Sequence, residues 1–509
     1  MNVSRRVFLR NATSTGLVGS IGGLDALTRI GQASAAETGV TPDMVRFTPD
    51  IEPFVRLIED TPREQCIEAV AERITSGATY QQLLAATFLA GIRNVNPQPP
   101  GFKFHCVFLA HAANYLAQSA PVEERFLPLF WVLDVFKKSQ ADDVREGDFL
   151  LREHPGPLPD GAIAESEFRD AMDDWDELRA DAAVTALARS GDPRQVFNML
   201  WAYGARDYRN LGHKAIFVAN AWRTLDAIGW QHAEPTLRSL VLGLLDFGKT
   251  EVVNDYGLDD QAYPANVELV ASHLNALPGH WHGGTTNDSA TQALLGPLRD
   301  GSTDAACALA VQSLRDGTCE GQAVWDAVHL IASELMMRQP GIAGIHAVTS
   351  VNGLRFAYEH TNDPQTKLLM LLQGVGWMGQ FRNYMKPDKD NDLRIDAMVP
   401  DDIASNAEEA AESIYAMVSD DRDAAARMAF AYAQKHDAND LFAMGRRLVF
   451  LKSSEHHHLK WPAALFEDYH LASPQYRPQL AATSMYYLRG TGHGDSAAVQ
   501  RAIAALGTG

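Results

Sequence analysis

The chain has 509 residues, 46% of them hydrophobic, and its 64 acidic and 44 basic side chains leave a formal net charge of −20 at pH 7. That composition fits a packed globular protein and excludes a disordered one. A surface this acidic repels phosphate backbones and anionic lipid, so neither nucleic acid nor a membrane surface is expected as a partner.

The first segment, Ser4-Arg5-Arg6-Val7-Phe8-Leu9-Arg10, sets a paired arginine before an apolar step and a further base. A mildly apolar, glycine-bearing stretch follows, too polar for a membrane anchor, and then Ala33-Ser34-Ala35 supplies a small-residue cleavage pattern. This order predicts a twin-arginine signal peptide over residues 1–35 and a mature chain from Ala36 without an anchor. The expected partner in export is the twin-arginine translocase, and the expected location is the periplasm or the exterior. That route carries folded cargo and serves proteins that load a cofactor first or fold fast.

Beyond the signal the period is helical nearly throughout, and an all-α protein is expected, an irregular bundle or solenoid of packed helix pairs. Thr61-Pro62-Arg63-Glu64 reads as an N-cap, a proline at the first helical position and a capping-box glutamate, with Gly77 ending the helix. Leu83, Leu84, Phe88 and Ile92 form the next apolar stripe. A helical pair over 105–120 and 122–139 is divided by Pro121. His154-Pro155-Gly156-Pro157 marks a boundary between an N-terminal subdomain, 36–152, and a larger domain, 165–509. Within the second, helices are expected at about 165–188, 193–203, 213–228, 234–247, 264–276, 321–338, 344–360, 364–373, 405–436 and 476–487. Gly374-Val375-Gly376-Trp377-Met378-Gly379 matches a dinucleotide-binding pattern, but it follows a helix rather than a strand, so a helix crossing explains it better. Of four cysteines, Cys66 and Cys106 lie in apolar helical runs, whereas Cys307 and Cys319 are spaced to close a short disulfide loop.

The seventeen histidines carry the chemical signal, because many sit in apolar helical segments. His213, Asn220 and Thr224 fall on one face of one helix; His346, Thr349, Gly353, Ala357 and His360 form a stripe on another. Small and polar residues there suit either a ligand or tight packing. Asp326 and His329 lie one turn apart. His105 and His111 are about 240° apart on a continuous helix and share a metal only if His105 precedes the first turn, which Pro99-Pro100-Gly101 permits. Glu455-His456-His457-His458 holds a Glu-x-x-His step, but Pro462 follows closely, so an exposed loop is expected. Gly279-His280-Trp281-His282-Gly283-Gly284 is a second histidine loop. The metal-ligand candidates are therefore His105, His111, His213, Asp326, His329 and His346. Imidazole suits iron, copper, zinc or haem alike.

Three of these patches resemble the questin oxidase-like family of helical enzymes: Phe104-His105, Gly212-His213-Lys214-Ala215-Ile216 and Ile345-His346-Ala347-Val348-Thr349-Ser350. The resemblance implies a histidine-lined cavity and a Baeyer–Villiger-like oxygen insertion with reduced nicotinamide. An exported enzyme has no supply of soluble NAD(P), so that cofactor is not expected here. The leading expectation is an exported oxidoreductase in which His105, His213 and His346 converge. They would bind a transition metal (iron or copper) or haem, or act as catalytic acids and bases on an aromatic or polyketide-like small molecule. The alternatives are a non-catalytic periplasmic binding or scaffold protein, and a helical-toroid lyase or hydrolase using, for example, Tyr358.

Overall fold

The computed structural model describes residues 43–248, 262–386 and 390–507. The signal-peptide segment lies outside them. The fold is all-α: the described residues form no strand, and Met44 and Arg152 make only an isolated bridge. None of the described helices is long and apolar enough to cross a membrane.

Helices Glu52–Asp60, Arg63–Thr75, Tyr80–Asn94, His105–Gln118 and Leu127–Glu146 precede the His154–Pro157 loop. Ala164–Asp174, Glu177–Ser190, Pro193–Ala205, His213–Ile228 and Ala233–Leu244 follow it. Next come Ala262–His273, Asp288–Asp300, Thr303–Arg315, Gly321–Arg338, Ile342–His360 and Pro364–Tyr384. The chain finishes with Ala407–Met417, Arg422–Lys435, Ala438–Lys452, His457–Leu471, Arg477–Ser484 and Ala497–Leu506. Many starts are set by local chemistry, since Asp192, Asn287, Asp363 and Asp437 each accept a backbone N–H of the turn they cap.

The helix Ile342–His360 packs against Gly321–Arg338, Pro364–Tyr384, His213–Ile228 and His457–Leu471. Every residue from Gly321 to Met337 is buried, which is why that helix shows no polar face in its sequence. The last helix returns to the first ones, where Arg501 pairs with Glu68 and donates to the Glu64 carbonyl. One apolar core runs through the segments on both sides of the His154–Pro157 loop.

Several expectations shift. The helix expected at 165–188 is broken at Trp175, which takes a left-handed conformation, and the one expected at 405–436 is broken after Met417. Thr61 does not cap its helix; its hydroxyl donates back to the Leu57 carbonyl of the preceding one. All four cysteines are buried free thiols, so the Cys307–Cys319 disulfide is absent, and Cys307 lies instead against the Leu372 carbonyl. The Gly374–Gly379 run is inside helix Pro364–Tyr384 and, as expected, marks crossings: Gly374 faces the Trp325 ring and Gly379 faces Thr303.

The closest helix approach that matters for the site is at Gly353. A Cβ there would stand 3.1 Å from the Ala215 carbonyl oxygen, a backbone atom that cannot swing aside. Gly353→Val should therefore force the His346 and His213 helices apart and cost roughly 1–3 kcal/mol, read as a lower midpoint in urea unfolding.

Candidate metal centre

Four helix starts meet in the interior. His105, His213 and His457 are each the first residue of their helix, and His346 lies one turn into its own. Helix N-termini carry partial positive charge, so an imidazolium is disfavoured where they converge. Burial, then the nearby Lys460 charge, pushes the His105, His213 and His346 rings well below their ordinary range. All three are neutral at physiological pH.

Their tautomers are fixed by one repeated device. Nδ1–H of His105 donates to the Phe102 carbonyl at 2.8 Å, that of His346 to Ile342 at 2.8 Å, and that of His213 to Asn210. A carbonyl only accepts, so each Nδ1 keeps its proton and each Nε2 carries a bare lone pair. Phe102 and Asn210 both hold positive φ, 46° and 56°, and Leu211 follows at 56°. Non-glycine residues there cost about 1 kcal/mol or more each, so aiming these two rings is maintained against local strain. Gly212 completes the turn with φ 76°, and a Cβ on it would lie 2.7 Å from Ser350 and 2.9 Å from the Trp377 ring.

The three lone pairs meet. His213 Nε2 is 3.1 Å from His105 Nε2 and 3.0 Å from His346 Nε2. Without a proton between them, such contacts are repulsive unless a cation sits among them. Lys460 Nζ stands 3.4, 3.2 and 3.3 Å from the His105, His213 and His346 nitrogens. An ammonium has three N–H groups, yet neighbouring acceptors here subtend only about 55° at Nζ, whereas its N–H bonds diverge by about 109°. The distances also exceed the ~2.7–2.9 Å of charge-assisted bonds. Lys460 therefore cannot satisfy all three imidazoles by hydrogen bonding. Nitrogens about 3.0 Å apart are what ~2.1 Å metal–nitrogen bonds at right angles require. The donor set fits a first-row metal ion.

It does not fit haem, whose iron accepts protein ligands only along its axis and not as three nitrogens on one side. His457 stands at the edge of the cluster: ligand atoms of His105, His346 and His457 lie within 4.8 Å of one another. Its Nδ1 lies 2.9 Å from Glu455 Oε2, and its buried Nε2 has no hydrogen-bond partner. A carboxylate behind a histidine in this way orients a metal ligand. Glu455, His456 and His457 form a second such group. The expected exposed loop is thus corrected. His457 and His458 are buried in a helix that runs to Leu471 with Pro462 inside it.

Three of the expected metal ligands, His111, Asp326 and His329, lie elsewhere; the groups of three ligating side chains among the described residues include neither them nor His213, which joins the cluster by its approaches to His105 and His346. His111 faces Glu467 at 3.3 Å, beside Arg223, which pairs with Glu467 at 2.7 Å. Asp326 accepts from Gln322 and Ser473, and His329 faces Asp468 at 3.5 Å. Asp326 is satisfied by these partners, whereas Nε2 of His111 and of His329 makes no hydrogen bond although each ring faces a carboxylate; one-turn spacing puts two side chains on one face but does not choose what faces them. His105 and His111 fall in no common group of ligating atoms among the described residues. Asn352, from the His346 helix, donates to both Glu467 and Asp468. Between that network and the cluster lies a cavity of about 10 Å³, lined by His111, Asn220, Thr349, Asn352 and Lys460 with Ile216 and three alanines, enough for about one water.

Lys460 was not singled out by sequence, and the Glu455–His458 run was noted for its Glu-x-x-His step but set aside as an exposed loop. One signal was present: a lone lysine between Leu459 and Trp461 in an apolar run, where lysine is rarely buried without a partner. Comparison with known proteins finds no match, whether to a family model, a curated protein or a solved structure.

Two consequences can be measured. Gly212→Ala should cost roughly 2–4 kcal/mol, from a strained backbone and the clash with Ser350 and Trp377, and should misplace His213. Burial alone would raise the Glu467 carboxyl, but Arg223, His111 and Asn352 outweigh it and hold it at about 2, down from 4.5. Ionised Glu467 thus contributes stability above about pH 4.5 that is lost as pH falls toward 2, on the order of 3 kcal/mol. Glu467→Gln should flatten that part of the acid-unfolding profile.

Proposed function

We propose that the chain is an exported metalloprotein, an oxidoreductase in which His105, His213 and His346 hold one first-row transition metal ion. The observation that carries the reading is the approach of the His213 Nε2 lone pair to those of His105 and His346, at 3.1 and 3.0 Å, with all three tautomers locked in a buried site. Neither a packed core histidine nor a binding scaffold needs that arrangement. The lyase or hydrolase reading has less support, since the buried hydroxyl of Tyr358, its example of an acid, is engaged in donating to the His282 carbonyl.

Bound iron or copper would supply Lewis acidity and one-electron redox chemistry. The chain's own residues supply the rest. Neutral imidazoles donate without prior loss of a proton, the locked rings need no reorientation, and burial excludes bulk water. Lys460 borders both the cluster and the small cavity, and so presents its nitrogen to whatever occupies it. That cavity admits a water-sized molecule and not an aromatic or polyketide-like one, so the substrate class narrows to a species such as dioxygen or its reduced forms. The likeness to questin oxidase-like enzymes has no family-model match behind it, and the proposal rests on geometry instead. Export through the twin-arginine route fits a centre that must be loaded before a buried site closes over it.

Protein purified from its export pathway, or refolded with iron(II) or copper(II), should carry close to one tightly held equivalent by elemental analysis. His213→Ala and His346→Ala should each weaken retention by at least ~tenfold, since even supporting residues around a metal cost that much. A folded wild-type chain that holds no ion after such loading would end the proposal.

A further inference from the structure

Three imidazoles leave a metal ion incomplete, and two side chains stand near enough to close its coordination: His457 and Lys460. The distances separate them. Lys460 Nζ lies 3.2–3.4 Å from all three Nε2 atoms, nearly the spacing of those atoms from one another. Five separations among the four nitrogens fall between 3.0 and 3.4 Å. His213 Nε2 and Lys460 Nζ thus form two triangular faces, one with each remaining nitrogen, whose edges have the spacing of donors that share an ion about 2 Å away. The His457 ring centroid stands 5.1 and 5.2 Å from those of His105 and His346, farther than the His213 centroid at 4.8 and 4.5 Å.

We infer that Lys460 is the fourth ligand, its amine nitrogen completing a tetrahedral set with His105, His213 and His346. This rests on the metal reading above. The same four nitrogens that cannot form straight N–H···N bonds to a central ammonium are well placed around an ion, because in a tetrahedron the vertices see one another at about 60°. Coordination through nitrogen also resolves what a charged lysine would face here: four helix N-termini, no carboxylate within hydrogen-bond reach, and three lone pairs that it cannot all satisfy. Glu455, the nearest acid in the cluster, is engaged by the His457 ring and by the Tyr487 hydroxyl.

The assignment gives the centre a particular behaviour. A closed four-nitrogen set offers substrate no position, as in structural zinc sites. Lys460 is the one ligand on a long flexible stem, and it lines the water-sized cavity that none of the three histidines lines. Its withdrawal would open the single position that faces that cavity, while the three locked imidazoles keep the ion. The His105–His213–His346 triad is thus the permanent part of the site and Lys460 the exchangeable part.

Cobalt(II) is the first probe, because its visible bands are intense when four-coordinate and weak when five- or six-coordinate. Wild type should show the intense spectrum. Lys460→Met should still bind one equivalent, with the bands kept intense but shifted in position as water replaces the amine, and affinity lowered about 10–100-fold. His457→Ala should leave the bands unchanged. An unaltered spectrum and affinity in Lys460→Met would overturn the assignment, and a shift of the bands in His457→Ala alone would make His457 the fourth ligand. Should Lys460→Met fail to fold, wild type grown with heavy-nitrogen lysine and loaded with copper(II) decides the matter. The nitrogen hyperfine pattern in its paramagnetic resonance spectrum changes only if a lysine nitrogen is bound. Wild type that binds neither ion would end the metal reading itself, whereas an ion bound by histidines alone would end only the assignment of Lys460.

Discussion

The neutral His213 nitrogen faces those of His105 and His346 at 3.1 and 3.0 Å with no proton to share. In a dry interior such a contact is unfavourable, and only a positive centre among them turns it into an attraction. Much else in the molecule is arranged to keep them there. Each ring is pinned at Nδ1 by a carbonyl of its own chain, three or four residues back, so its aim is set by backbone rather than by a mobile side chain. Two of those carbonyls come from residues held in left-handed conformations. Backbone strain of this kind persists only where surrounding packing over-determines it.

That packing is supplied by small residues at helix crossings. Gly353 lets the His346 helix close on the backbone of the His213 helix, and Gly212 fits its turn between Ser350 and Trp377. A Cβ on Gly101 would stand 3.3 Å from Nδ1 of the His213 ring itself. Interiors of this density deform little, so a change of one methyl group at these glycines shifts an imidazole rather than being absorbed locally. The fold and the site are in this sense one object: the helices that build the core are the helices that carry the ligands.

The helical class and most element positions were legible because apolar periodicity and capping residues are local signals. Convergence of His105, His213 and His346 was legible for a related reason. A histidine inside an apolar helical face must be buried, and three buried imidazoles in one protein tend to share a purpose. What was not legible depends on tertiary contact. Asp326 and His329 keep helical spacing but face Ser473 and Asp468, from a part of the chain no spacing rule connects to them. The His457 helix was misread because Pro462 argues against helix, yet six residues in it removes one backbone hydrogen bond and the buried face outweighs that loss. With that helix went Lys460, the nitrogen nearest to all three histidines.

That same helix links two charged sites of opposite character. His457 and Lys460 belong to the nitrogen-rich centre, while Glu467 and Asp468, two turns on, anchor a buried network of Arg223, His111 and His329. Asn352 on the His346 helix ties directly to both acids. A rotation of the His457 helix cannot move Lys460 without straining Glu467 against Arg223, and that contact is among the costliest to break because it would leave a buried charge unpaired. The network thus sets the register of the helix that presents Lys460. An exchangeable ligand needs such a frame: the amine can leave along its own stem only if the backbone beneath it stays where it is.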